Sequence, residues 1–129
     1  MTKRILLIDD ELDITFTIKD ILEDNGFQVD SFNDPILALN YYKVSFYDLV
    51  ILDIKMPKMD GFELYTKIRE KDPKVQICFF TATAMFTDEI KKALLALGKT
   101  INEDYFIQKP VRIEVLIKKI TLIMNKNKE

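Results

Sequence analysis

The chain offers few kinds of reactive side chain. It has no histidine and one cysteine, Cys78. This removes His-based acid–base catalysis, Ser-His-Asp and Cys-His machinery, His-ligated zinc and any intramolecular disulfide. Carboxylates, amines and hydroxyls remain. Five of these follow short β-type runs: Asp9 and Asp10 after Ile5–Ile8, Asp53 after Leu49–Leu52, Thr81 after Val75–Phe80, and Lys109, with Pro110, after Tyr105–Ile107.

Three carboxylates gathered at one rim repel one another. Two unit charges ~4 Å apart interact by roughly 4 kcal/mol at an effective dielectric near 20. Such a cluster raises its own pKa values or binds a cation, and a hard divalent ion such as Mg2+ suits oxygen ligands. A lysine adds a charge for a carboxylate or an arriving anion, and a threonine hydroxyl can donate to an oxyanion. Around a carboxylate nucleophile, these groups describe a phosphoryl-transfer site. Taken singly, each has an ordinary reading. An Asp after a strand, Asp10 included, is most often a turn or helix cap. The inference comes from five such residues at matching strand ends.

The elements that must position them alternate. Strand-like runs at Ile5–Ile8, Phe27–Phe32, Leu49–Leu52, Val75–Phe80 and Tyr105–Ile107 are separated by stretches with helical spacing. Asp13–Asp24 carries Ile14, Ile18, Ile21 and Leu22 on one side and stops at Asn25-Gly26. Pro35 opens a second helix behind Asp34 as its cap. A third runs from Gly61 to Lys71, ahead of Pro73. A fourth carries Ile90, Ala93, Leu94 and Leu97 before Gly98. A fifth puts Ile113, Leu116, Ile117, Ile120 and Met124 on one stripe. Strict alternation, and a Leu49–Leu52 run apolar throughout, predict a parallel sheet with helices on both faces. In such sheets ligands bind beyond the carboxyl ends of the strands.

At 129 residues the chain has the size of one domain, and 48% hydrophobic with 31% charged residues is a globular balance. Nineteen basic against 21 acidic residues leave a net charge of −2, with no basic excess to draw nucleic acid or an anionic membrane. The apolar stretch after Met1-Thr2-Lys3-Arg4 is too short for a signal peptide or a membrane span, so a cytoplasmic location is expected.

The motifs Ile5-Leu6-Leu7-Ile8-Asp9-Asp10-Glu11, Asp53-Ile54-Lys55-Met56-Pro57-Lys58-Met59-Asp60-Gly61, Thr81-Ala82 and Lys109-Pro110 resemble those of the receiver domains of two-component response regulators, over nearly the whole chain. The resemblance implies a flavodoxin-like (βα)5 fold with a five-stranded sheet of order 2-1-3-4-5, occupying 1–125 with a short polar tail at 126–129. It implies that Asp53 accepts a phosphoryl group from a histidine kinase or phosphotransfer protein. Mg2+, for which Mn2+ can substitute, would be held by Asp9, Asp10, Asp53 and the backbone carbonyl of Lys55. Thr81 and Lys109 would bind the phosphoryl group, with Thr81 and Phe106 as the switch pair. Lys55 and Thr83 would tune rates, and Pro110 and Gly61 would be structural. The implied protein is a signalling phosphoacceptor rather than an enzyme. It would switch a protein-binding surface on its fourth helix, fifth strand and fifth helix, as a monomer or a phosphorylation-linked dimer. Because the chain ends soon after the fifth helix, a receiver acting alone on a protein target, with no output domain, is the expectation.

Phe106 lacks the hydroxyl of the Tyr often found at the switch position, and Tyr105 beside it leaves a second register open. The segment Lys99–Asp104 makes the stretch before Phe106 longer than the family commonly has. The alternatives are a degenerate receiver used as a phosphorylation-independent binding module, and a Mg2+-dependent phosphohydrolase. The hydrolase lacks an acid two residues after Asp53, where Lys55 stands. A flavin site is disfavoured by three glycines and no phosphate-cradling loop after the first strand. Cys78 reads as an inert core residue. Val115 and Leu122 read as scattered surface positions, and Lys118, Lys119, Lys126 and Lys128 as a solvated face.

Overall fold

Five short runs form the sheet, three of them almost wholly buried. A computed structural model describes residues 2–81, 92, 95–96, 105–109 and 111–126. In it β1 (Arg4–Ile8), β2 (Gln28–Phe32), β3 (Leu49–Leu52), β4 (Gln76–Thr81) and β5 (Phe106–Gln108) pair in the order β2-β1-β3-β4-β5. Every pairing is parallel. This is the expected flavodoxin-like sheet.

Side chains alternate across each strand, so one sheet makes two cores. Leu6, Ile8, Val50, Leu52, Ile77, Phe79 and Phe106 face α2 (Pro35–Asn40) and α3 (Gly61–Lys71), where Ala38, Leu64, Tyr65 and Ile68 close over them. Ile5, Leu7, Leu49, Ile51, Cys78, Phe80 and Ile107 face α1 (Leu12–Asp24) and the C-terminal helix (Ile113–Asn125). Those helices contribute Ile18 and Leu22, and Leu116, Ile120, Ile123 and Met124.

The helix ends have physical partners, among them the Asn25-Gly26 and Asp34-Pro35 pairs read in the sequence. At the end of α1 the Gly26 N–H donates to the Glu23 carbonyl at 3.0 Å and the Phe27 N–H to the Leu22 carbonyl at 3.1 Å. Gly26 sits at φ +91, where a glycine carries no Cβ penalty. Asp34 caps α2 by accepting from the Ile36 and Leu37 N–H groups. Asp60 caps α3 by accepting from Glu63 at 2.9 Å. The C-terminal end of α3 is held by Arg69, whose guanidinium donates to the carbonyls of Val75 at 2.6 Å and Pro73 at 3.0 Å. Buried Asp72 accepts from Tyr42 Oη and the Ser45 N–H, holding Ser45 at φ 61.

Some expectations shift. The fourth and fifth strands lie one residue later than read, at Gln76–Thr81 and Phe106–Gln108, so Thr81 is the last residue of β4 rather than the first beyond it. Ile113 is half exposed, and the buried stripe of the C-terminal helix is Leu116, Ile120, Ile123 and Met124. Ile113 occupies the helix's first position, where the chain has not yet come under the sheet. Of the fourth expected helix, Lys92, Leu95 and Ala96 are described and helical. Its other residues, Ala82, Thr83, Pro110 and the segment Lys99–Asp104 lie outside the described residues. Among the described residues no helix is long and apolar enough to cross a membrane.

Candidate functional site

Sheet register assembles the acidic cluster. Ile8 lies opposite Leu52, and the Asp53 N–H donates to the Ile8 carbonyl at 2.9 Å. The residues following β1 and β3 therefore emerge side by side. Asp9, Asp10 and Asp53 each offer a carboxylate oxygen, and these atoms lie within 4.8 Å of one another. Asp9 is 1% exposed and Asp53 6%, so neither is relieved by bulk water. Among the described residues this is the one group of three or more carboxylates or thiols close enough to share an ion.

β4 and β5 bring the other two residues. Thr81 pairs with Gln108, and the Lys109 N–H donates to the Thr81 carbonyl at 2.7 Å. That bond turns the Lys109 side chain across the strand ends. Its Nζ lies 2.6 Å from Asp9 Oδ2, 3.6 Å from Asp53 Oδ2 and 3.8 Å from Glu11 Oε1. One ammonium thus faces three acids. Thr81, at 3% exposure, completes the buried rim.

The electrostatics follow from that count. Burial and the neighbouring Asp9 charge push the Asp53 carboxyl up to about 7. The Lys109 ammonium and the Ile54 N–H, which donates to Asp53 Oδ1 at 2.8 Å, pull the other way. A hydrogen bond with Asp10 adds to the rise. A carboxyl raised by buried like charge, with only hard oxygen donors around it, fits a small divalent cation such as Mg2+. Such an ion would supply the positive charge that Lys109 alone does not.

The loop after Asp53 is tightly folded. Lys55 is exposed, Met56 and Met59 are buried, and Lys58 sits at φ 73 with its Nζ 2.7 Å from Asp34 Oδ2. Gly61 returns the chain onto the backbone of Asp53 and Ile54, its N–H donating to the Ile54 carbonyl at 2.7 Å. A Cβ there would lie 2.2 Å from the Asp53 carbonyl oxygen. Phe106 is buried and stacks on Phe79, ring centroids 5.1 Å apart and planes 19° from parallel. Tyr105 instead reaches Gln76 at 3.2 Å and lies under the Lys126 ammonium.

Sequence reasoning passed over Asn33. Its Nδ2 donates to the backbone carbonyl of Asp9 at 2.9 Å and to Thr15 Oγ1 at 2.8 Å. An Asn ending a strand is so common in turns that only the β1–β2 pairing reveals this reach.

The chain matches the family model for the response regulator receiver domain over residues 5–121. It is 33% identical over 119 residues to the transcriptional regulatory protein DltR of Streptococcus agalactiae, covering 92% of this chain and 50% of DltR. The chain thus spans about half the length of that curated relative. The structure is similar to the non-phosphorylated HemR receiver domain from Leptospira biflexa, with a TM-score of 0.83 at 26% identity over 99% of this chain and 98% of that one. It is also similar to the response regulator protein TrrA from Thermotoga maritima in complex with Mg2+–BeF, with a TM-score of 0.76 at 30% identity over 95% and 99% of the two chains.

Proposed function

The chain belongs to the response regulator receiver family, and from that premise we propose that Asp53 is a phosphoacceptor whose modification switches a protein-binding surface. The donor is a phosphohistidine of a histidine kinase or phosphotransfer protein. An Asp53 carboxylate oxygen forms the new P–O bond as the donor's P–N bond breaks, and the electron pair leaves with the imidazole nitrogen. The product is an acyl phosphate held in the protein, so the chain is consumed stoichiometrically in signalling and is not a turnover enzyme.

The observation that carries this reading is the placement of Asp53. Its carboxylate lies against the Asp9–Asp10 pair, with the buried Lys109 ammonium 3.6 Å from one oxygen and the Ile54 N–H donating to the other. Mg2+, or Mn2+ in its place, held by Asp9, Asp10, Asp53 and the Lys55 backbone carbonyl, would supply charge neutralisation for the carboxylates and the transferring oxygens. Lys109 exchanges part of its pairing with Asp9 for the arriving phosphoryl oxygens. Thr81, beside it on β4, donates its hydroxyl to the same group, and Phe106, on the neighbouring strand, responds to that movement. Lys55 and Thr83 set access and rate.

Output passes through the fourth helix, β5 and the C-terminal helix to a protein target or a second phosphorylated copy. Exposed Ile113, Val115 and Leu122 support a docking role for the last of these. The acidic net charge supports a protein target over nucleic acid, and a cytoplasmic location suits a kinase as donor.

Intact mass after incubation with acetyl phosphate tests the reading. One labile phosphoryl adduct that requires Mg2+ and is absent in Asp53→Asn is expected. A folded protein that takes no phosphoryl group from acetyl phosphate or from phosphorylated kinase would overturn it and leave a binding module.

A further inference from the structure

The backbone of Asp9 is held on both sides of its Cα, and its carbonyl forms part of the peptide that joins the two acidic neighbours. The Asp9 N–H donates to the Phe32 carbonyl at 3.2 Å, as a continuation of the β1–β2 ladder. The Asp9 carbonyl, which belongs to the same peptide unit as the Asp10 nitrogen, accepts from Asn33 Nδ2 at 2.9 Å. The second Nδ2 hydrogen goes to Thr15 Oγ1 at 2.8 Å. The Thr15 hydroxyl in turn donates to the Leu12 carbonyl at 2.9 Å. The orientation of the amide is fixed by its partner, because a carbonyl oxygen can only accept.

We propose that Asn33, braced by Thr15, is a positioning residue that sets the Asp9–Asp10 peptide so that both carboxylates converge on a cation beside Asp53. The inference rests on the divalent-cation reading above and extends it to residues that touch no ligand. A backbone dihedral error at this peptide swings the whole Asp10 side chain, whereas Asp9 keeps its place through Lys109 and the Glu11 N–H. Asn suits the position because it offers two donors to two acceptors. Asp there would set a carboxylate against a carbonyl. Thr15 is 3% exposed, so the brace end of the chain is dry, while the Asn33 end lies at the exposed rim. Groups that orient metal ligands typically change affinity 10–100-fold. Because water can reach Asn33 and partly replace it, a smaller effect of about fivefold is expected here.

The test is Mg2+ affinity by calorimetry, measured on the whole chain, with the Asp10 backbone amide followed by NMR without metal. Asn33→Ala is expected to raise the Mg2+ dissociation constant about fivefold and shift the Asp10 amide. Thr15→Val, which loses the hydroxyl at nearly constant shape, moves both in the same direction. Thr15→Ser, which keeps the hydroxyl, restores them. The double variant Asn33→Ala with Thr15→Val is no weaker than Asn33→Ala alone, because both act through one chain of bonds. A residue of merely structural value would lower the melting temperature and leave the dissociation constant alone. That outcome, or equal affinities for Thr15→Val and Thr15→Ser, overturns the proposal while the wild-type titration upholds the cation site. A wild-type chain that binds no Mg2+ overturns both.

Discussion

Gly61→Ala is expected to destabilise the protein by about 3 kcal/mol or more, at the far end of what a single added methyl does. The added Cβ would lie 2.2 Å from the Asp53 carbonyl oxygen and 2.9 Å from the Ile54 Cα. Both are backbone atoms, so no side chain can rotate away. Relief requires moving the start of α3, which the Asp60 cap and the Gly61-to-Ile54 hydrogen bond hold in place. Gly26→Ala is the control. Its Cβ would meet nothing within 4 Å, and the cost is the left-handed backbone alone, about 1 kcal/mol. Urea unfolding of the two variants should separate them by at least twofold in lost free energy. Acetyl phosphate labelling of any folded Gly61→Ala should also slow, because the strained backbone is that of Asp53, the proposed acceptor. Equal losses in the two variants would show that the β3–α3 loop is free to move.

Asp53→Asn is expected to have the opposite sign. The Asp53 carboxyl is raised to about 7 by burial and by Asp9. For an acid raised on folding, the folded state holds the proton more tightly than the unfolded chain. The penalty is absent below the ordinary carboxylate range near 4, grows as pH rises and is complete above about 7. Full linkage corresponds to about 4 kcal/mol with the attraction to Lys109 already counted in it, and relaxation of the surroundings around the charge lowers the observed gain. In chelator, Asp53→Asn should therefore be more stable than the wild type by about 1–3 kcal/mol at pH 8, and no more stable at pH 5. Saturating Mg2+ should shrink or reverse the difference, because the wild type gains binding energy that the variant lacks. Thermal melts at the two pH values, with and without Mg2+, decide it. A variant no more stable at pH 8 in chelator would mean that Lys109 already neutralises the carboxylate.

Much of this architecture can be read from residue types because the deciding interactions are local. Leu49–Leu52 is apolar throughout, so only a strand covered on both faces suits it. Asn25-Gly26 and Asp34-Pro35 each end or start a helix through bonds to residues no more than five positions away. The gathering of Asp9, Asp10, Asp53 and Lys109 follows once the strands are parallel and the rim is shared. What stays hidden depends on partners distant in the chain. Asn33 acts through Asp9, 24 positions earlier, and reaches it only because β2 pairs with β1. Asp72 looks like a helix-end acid, yet it is buried under Tyr42 and Ser45. The exposure of Ile113 reflects where the sheet edge lies, which helical periodicity does not encode.

Cys78 gives the molecule a built-in clock. It is fully buried in the core that faces α1 and the C-terminal helix, paired in register with Ile51 at the middle of the sheet, and burial pushes its thiol up to about 12. A thiol reagent must therefore wait for the sheet to open. Its labelling rate, when slow against reclosing, is proportional to the opening equilibrium constant. Any ligand of the closed form slows the labelling by the factor by which it stabilises that form. In a chain with no tryptophan, the labelling rate of one sulfur would report any cation or phosphoryl group taken up at the carboxyl ends of the strands.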